Sequence, residues 1–298
     1  MGAITSENTA LAMVKLVAAQ ALPALVGNLV MGNIINRNYE SVLASAGESV
    51  NVPIPPVMSR NNIAETGSVQ TQSPTPGNAT INLNQHAESS FQIPDVIKVL
   101  SHPGLLAMYM QPAIIALAEG LETDLLALYP QISASAGSSV AAISEDAVDD
   151  AETTLFTAKV PSSMQKFLVL HPTPYGTLRQ IARLTEADKV GSGLSILTGR
   201  VEQLKDFFVL RSSFVTLSSS VYYNLAFARD AFALAIRRLP IPEPGTGAIG
   251  EFVEMGNFGM RVLTSYNATT LAQQYTVDML YGCGVLRPSF GCQVVCSA

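Results

Sequence analysis

Apolar residues recur at helical spacing near the start of the chain and at every second position soon after, and that change of period predicts its first two elements. Leu11, Val14, Val17, Ala18, Ala21, Leu22 and Leu25 share one helical face, so residues 9–35 read as a helical, largely buried N-terminal arm. Val50, Val52 and Ile54 then alternate, as do Ala79, Ile81 and Leu83, and each run reads as a half-exposed strand. Between them lies VMSRNNIAETGSVQTQSPTPG, a stretch of turn formers. The whole predicts a long β-hairpin. An isolated two-stranded hairpin is marginally stable in water, so this one must lie on something. Arg60 and Glu65 are its only formal charges between Val50 and Ala87, and the expectation is an arm that docks on neighbouring molecules.

Farther on, Pro103 suits a first helical turn, and GLLAMYMQPAIIALAEGLETDLLALY predicts a long helix bent near Pro112 and ending at Pro130. A second helix starts at SEDAVDDAETTLF, its early acidic residues facing the positive end of the helix dipole. KFLVLHP reads as a buried strand, PYGTLRQIARL as a helix and VEQLKDFFVLRSS as a strand. YYNLAFARDAFALAIRRLP predicts a helix from about Leu225 to Arg238, closed by two arginines and Pro240. The tail, GMRVLTSYN, QQYTVDMLYGCGVLRP and FGCQVVCSA, returns to short strands.

Composition sharpens this picture. Of 298 residues only 13% are charged and 48% are hydrophobic, and mean hydropathy is +0.29. Ordinary soluble domains carry about a quarter charged residues, so partner surface is needed to cover what this chain leaves exposed. The uncharged run 16–36 nearly has the length of a bilayer span, but Gln20, Pro23, Gly27, Asn28, Gly32, Asn33 and Asn36 interrupt it. Amides are costly in hydrocarbon, and the run reads as packed on protein, with no membrane partner. A net charge of −6 without any basic run disfavours sequence-specific nucleic-acid binding. The three cysteines, Cys283, Cys292 and Cys296, lack metal-ligand spacing and read as free thiols.

One motif suggests chemistry. GTGAIG, residues 245–250, spells Gly-x-Gly-x-x-Gly, which binds dinucleotides when a strand feeds the first glycine and a helix opens at the last. Here IRRLPIPEPG precedes it and EFVEMGNFGMRV follows, without helical periodicity. A turn is the better reading, and an enzyme using Gly245–Gly250 stands as the competing one. His86, His102 and His171 are too scattered for a zinc site, and His171, at a strand end, reads as a hydrogen-bonded loop residue. Glu145, Asp146, Asp149, Asp150 and Glu152 lack calcium-loop spacing and read as a solvated helix start.

The order of elements, an arm, an extended hairpin, a long helix, an α/β segment and returning strands, resembles the major capsid protein of tailed bacteriophages. That is the Hong Kong 97-type fold, α+β in class, and in particular its gene-five coat-protein branch. VPSSMQKFLVLHPTPYGTL, LTGRVEQLKDFFVLRSS, NLAFARDAFALA and LYGCGVLRPSFGCQV are similar to the corresponding stretches of that family. The resemblance implies an N-terminal arm (1–49), an extended loop (50–93), a peripheral domain with the spine helix (94–132 and 260–298) and an axial domain (133–259). It also implies a non-enzymatic subunit without cofactor or metal, assembling in the bacterial host cytoplasm into the hexamers and pentamers of an icosahedral virion head. Scaffolding and portal proteins, a decoration protein and non-specifically contacted double-stranded DNA are the implied partners. Residues 50–93 contain no lysine, so the covalent crosslinking of some family members is not expected. An encapsulin-type nanocompartment is the alternative within the fold.

The expected working residues are therefore inter-subunit contacts. They are Val50, Val52, Ile54, Arg60, Glu65, Ile81 and Leu83 on the hairpin, Leu11, Val14 and Leu22 on the arm, and Lys189, Gly193, Gly245, Gly247 and Gly250 in loops gathered at symmetry axes.

Overall fold

The computed structural model describes residues 29–38, 49–100, 105–181, 201–243, 246–255 and 258–298, with Pro23 and Gly27, and without Val57, Ala64, Thr66 and Gln70. Leu11, Val14, Leu22, Lys189, Gly193 and Gly245 lie outside the described residues.

A short helix α1 (Met31–Ile34) precedes the hairpin strands β1 (Ser49–Ile54) and β2 (Gly77–Asn82). They pair antiparallel, Val50 opposite Ile81 and Val52 opposite Ala79, as the alternation predicts. Strand β3 (Gln85–Pro94) leads into α2 (Asp95–Leu100) and the spine helix α3 (Leu105–Leu126). The spine helix holds Pro112 within it and buries Ile114, Leu117, Leu121 and Leu125, an i, i+3/i+4 stripe. It stops at Leu126, ahead of Pro130, which sits instead in a 3-10 turn, Tyr129–Gln131.

Next come β4 (Ser135–Gly137), α4 (Glu145–Thr157), β5 (Lys166–Leu170), α5 (Pro172–Arg179), β6 (Gln203–Leu204), β7 (Phe207–Arg211), β8 (Leu217–Ser218) and β9 (Val221–Ala228). Ser144 caps α4 by accepting from the Ala147 amide at 3.2 Å. The acidic start of α4 is partly neutralised, because Lys205 reaches Asp149 at 2.9 Å and Glu145 at 3.3 Å. His171 caps α5 through Nδ1, which accepts from the Thr173 amide at 3.2 Å, and its ring stacks on Tyr222. Burial holds its pKa below the ordinary histidine value. The chain ends with β10 (Phe232–Arg237), β11 (Ala248–Met255), β12 (Phe258–Asn267), β13 (Ala272–Val285) and β14 (Gly291–Ser297).

The helix expected over Leu225–Arg238 is two strands. A 3-10 turn, Arg229–Ala231, separates β9 from β10, and nearly every residue of both strands is buried. Strands covered on both faces lose their period-two signature and read as continuous apolar runs, which periodicity cannot tell from a buried helix. Tyr222, Tyr223, Phe227, Phe232 and Ile236 are the strand formers that the intervening alanines mask.

Two sheets organise the body. One has the order β4-β14-β9-β5-β7-β6, with β8 beside β9. In the other, β13 carries β3 along one edge and β12 followed by β10 along the opposite edge, and β11 pairs with β12. The chain crosses between the sheets at Arg229–Ala231 and again at Pro288–Phe290. The crossings touch, as the Leu286 amide donates to the Ala231 carbonyl at 2.8 Å. The expected domain boundary at 259/260 therefore falls inside the second sheet, and the last strand, β14, returns to the first. One continuous apolar core, including Leu121, Phe167, Phe227, Phe232 and Val277, runs beneath both sheets.

Two buried charged groups, Asp278 and Lys166, are paired with opposite charges. Asp278, 2% exposed, accepts from Arg261 Nε at 3.0 Å and lies 3.0 Å from His86 Nε2, joining β12, β13 and β3. Lys166 is buried against Asp206 and over the Phe156 ring. Cys283, Cys292 and Cys296 are free thiols. Desolvation pushes Cys283 and Cys292 up to about 11, so they stay protonated near neutrality.

Candidate assembly surfaces

The hairpin divides into a seated base and an uncovered tip. At the base, Val50, Val52, Ile81 and Leu83 are buried against Ala233, Ala235 and Leu286 of the same chain, in a small core separate from the main one. These four side chains were expected at a contact with a neighbour; within the chain, the face their alternation marks is already buried on Ala233, Ala235 and Leu286. Ile54, at the end of β1, is half-buried. The opposite face, with Asn51, Asn78, Thr80 and Asn82, is exposed, and Thr80 Oγ1 donates to Asn51 Oδ1 across the ribbon at 2.8 Å.

Beyond Ile54 and Gly77 the ladder stops. Pro55, Pro56, Pro74 and Pro76 lack the amides a ladder needs, and Gln72 substitutes by accepting from the Ser59 amide at 3.1 Å and donating to the Ser59 carbonyl. In this tip Met58 is 60%, Ile63 53% and Val69 79% exposed. Arg60 and Glu65 are exposed as well. Apolar side chains held out on a strip of turn formers leave an exposed apolar surface at the tip.

The N-terminal segment is fastened by a residue that period and composition do not reveal. Glu122, on the spine helix, is fully buried. Its carboxylate accepts from the Met31 amide at 2.9 and 3.0 Å, from Val30 at 3.2 Å and from Gly32 at 3.4 Å, satisfying the free N–H groups that open α1. Desolvation raises its pKa above the ordinary value, against the opposing pull of those amides. Asn36 then joins β10 by donating its amide to the Phe232 carbonyl and accepting from Leu234, both at 3.2 Å. Arg37 lies over the Phe258 ring, 3.7 Å from its centroid. Residues 30–37 are thus pinned to the body. The only sequence signal was an acidic residue on the apolar stripe of a long helix.

The glycine motif joins strands. The chain reaches it from β10, Gly247 takes φ +76° in the turn, and Gly250 lies within β11. No helix opens at Gly250, so no helix N-terminus meets a pyrophosphate, and the dinucleotide reading fails on geometry. The preceding element is a strand, not the helix expected. The turn belongs to the sheet that carries the hairpin, not to the sheet built on β9.

No protein-family profile and no curated protein sequence matches the chain. Solved structures do. A protein of Mycobacterium phage Che8 superposes with a TM-score of 0.70 at 19% identity, over 89% of this chain and 90% of that one. The capsid of cyanophage P-SCSP1u gives 0.60 at 16% identity, over 85% and 84%.

The chain has the phage capsid fold.

Within the capsid fold, the virus-like particle from Pyrococcus furiosus is similar at a TM-score of 0.50 and 12% identity, over 94% of this chain and 97% of that one. In each of these three the shared part exceeds four-fifths of both chains. Of the residues expected to make contacts, the structure brings Val50, Val52, Ile81 and Leu83 together beneath the ribbon and leaves Arg60 and Glu65 exposed at its tip. Gly247 and Gly250 are set apart from these on the β10–β11 connection. Among the described residues no group of three or more His, Cys, Asp or Glu side chains is placed to hold a metal ion, and no helix is long and apolar enough to cross a membrane.

Proposed function

We propose that this chain is the structural subunit of a closed icosahedral shell, the head of a tailed bacteriophage, that encloses double-stranded DNA and is held by non-covalent contacts between copies. The observation that carries this reading is the two-way coverage of the Che8 likeness, in which about nine-tenths of each chain is shared. The exposed ribbon tip supports it. Met58, Ile63 and Val69 are each more than half exposed, and a shell of identical copies supplies their cover. The role is structural, with hexamers and pentamers of this subunit as the capsomers. Scaffolding, portal and decoration proteins are the partners this reading calls for, and DNA is touched without sequence preference.

Overexpressed protein, alone and with a co-expressed scaffolding protein, tests this by sedimentation and negative-stain microscopy. Closed shells of uniform size are expected. A monodisperse monomer at high concentration under both conditions overturns the reading.

The nanocompartment is the second reading, because the particle from Pyrococcus furiosus shares the fold. The contents of assembled particles separate the two: nucleic acid supports the phage head, and a packaged protein cargo supports the compartment.

A further inference from the structure

The ribbon is attached to the body in an unusual way. β1 and β2 pair only with each other among the described strands, so no ladder ties the ribbon to either large sheet. It lies on one face of the β10–β13 pair, where four small residues meet. Ala233 stands opposite Gly284 and Ala235 opposite Gly282. The alternate positions of the same strands, Leu234, Ile236 and Tyr281, turn into the main core. A Cβ at Gly282 would collide with the Asn82 carbonyl oxygen, and it would stand 2.8 Å from the carbonyl carbon and 3.1 Å from Leu83 Cα. At Gly284 the nearest neighbour, Ile81 Cγ1, would be 3.6 Å away, an ordinary contact. Glycine weakens a strand interior, and it is tolerated where another backbone approaches closely. Here that backbone is the end of the ribbon.

We propose that Gly282 is a positioning residue: with Ala233, Ala235 and Gly284 it forms a flat seat that sets the direction in which the ribbon leaves the body, and that direction makes the subunit competent to assemble. The second half rests on the shell reading above, and the first does not. With no ladder to either large sheet among the described strands, the ribbon takes its direction from packing on the seat and from its continuation into β3. A methyl group at Gly282 has no flexible side chain to push aside and must lift the backbone. At the far end of a long ribbon, a small tilt at the seat becomes a large displacement of Met58, Ile63 and Val69.

The test uses the full-length subunit carrying Gly282→Ala, with Gly284→Ala as the matched control. Hydrogen exchange on soluble subunits is expected to show β1 and β2 amides exchanging ~10-fold faster or more in Gly282→Ala, with β5 and β9 unchanged. Shell yield, read by sedimentation, is expected to collapse. Gly284→Ala should behave as wild type in both measurements. Wild-type exchange in the Gly282→Ala ribbon overturns the seat. Faster ribbon exchange with normal shell yield overturns its role in assembly. A wild-type subunit that forms no shells counts against the shell reading alone, while the exchange arm still decides the seat. If Gly282→Ala yields no folded protein, Leu83→Ala loosens the same contact from the ribbon side. Faster exchange confined to β1 and β2 then supports the seat, and loss of protection throughout the chain overturns it.

Discussion

The main core and the core beneath the ribbon are built by opposite rules. The main core packs large side chains, Phe207, Phe227, Phe232, Met110 and Leu121, all fully buried, between strands tied by continuous ladders. The ribbon core sets Val50, Val52, Ile81 and Leu83 on alanines and glycines, with no ladder to the body. Deep packing over hydrogen-bonded strands gives a body that holds its shape when its neighbours change. Shallow packing on small residues gives an appendage whose position depends on what touches it. In the proposed shell the body supplies a rigid tile and the ribbon supplies the reach.

The sharpest way to break this contrast is to damage each core and ask whether the other responds. Phe227→Ala, at the crossing where its ring meets Phe232 edge-on with centroids 5.1 Å apart, should cost about 3–5 kcal/mol. The denaturant midpoint of the soluble subunit reads this, and an unmoved midpoint would remove Phe227 from the core.

Glu122→Gln comes next, with an expected loss of about 1–3 kcal/mol, because an amide offers one acceptor and a misplaced donor to the α1 amides. Its pH dependence has a definite sign. A carboxyl whose pKa is raised in the folded state contributes its full stability below the unfolded value and loses that contribution as pH rises through the folded value. Wild type should therefore lose stability relative to Glu122→Gln as pH rises across that window. A constant difference would contradict the buried assignment.

Ile81→Ala should act locally. Hydrogen exchange in β1 and β2 accelerates while the global midpoint shifts by less than Phe227→Ala shifts it, and equal shifts would merge the two cores into one. Smallest for stability is deletion of residues 58–76, which removes no buried apolar residue of the body. The midpoint should stay within about 0.5 kcal/mol of wild type, while shell formation fails. Normal shells from that deletion would rule out the tip as a docking element.

Much of this was legible in residue order, and the exceptions share a cause. The hairpin strands, the spine helix, α4 with its acidic first turn, β5 and the C-terminal strands follow from period, turn formers and helix-end charge, all of which are local. The segment Val221–Arg237 was misread because burial on both faces erased its period. Glu122 was missed because its partners lie about ninety residues away in sequence, and no local pattern marks a carboxylate that will cap a distant helix. Gly282 and Gly284 could be seen as glycines within a strand pattern, yet nothing near them in sequence shows that a ribbon from residues 49–83 lies above.

The amino-acid order by itself determined that this chain carries a ribbon with one apolar face, a long helix with a buried stripe, a low share of charged residues and a turn-rich tip. Tertiary structure alone decided where the apolar face goes, since alternation says which side chains want burial but not whose surface buries them. The answer is the chain's own β10–β13 platform at the base, while Met58, Ile63 and Val69 at the tip stay more than half exposed, because the small residues that seat the ribbon lie beneath its root.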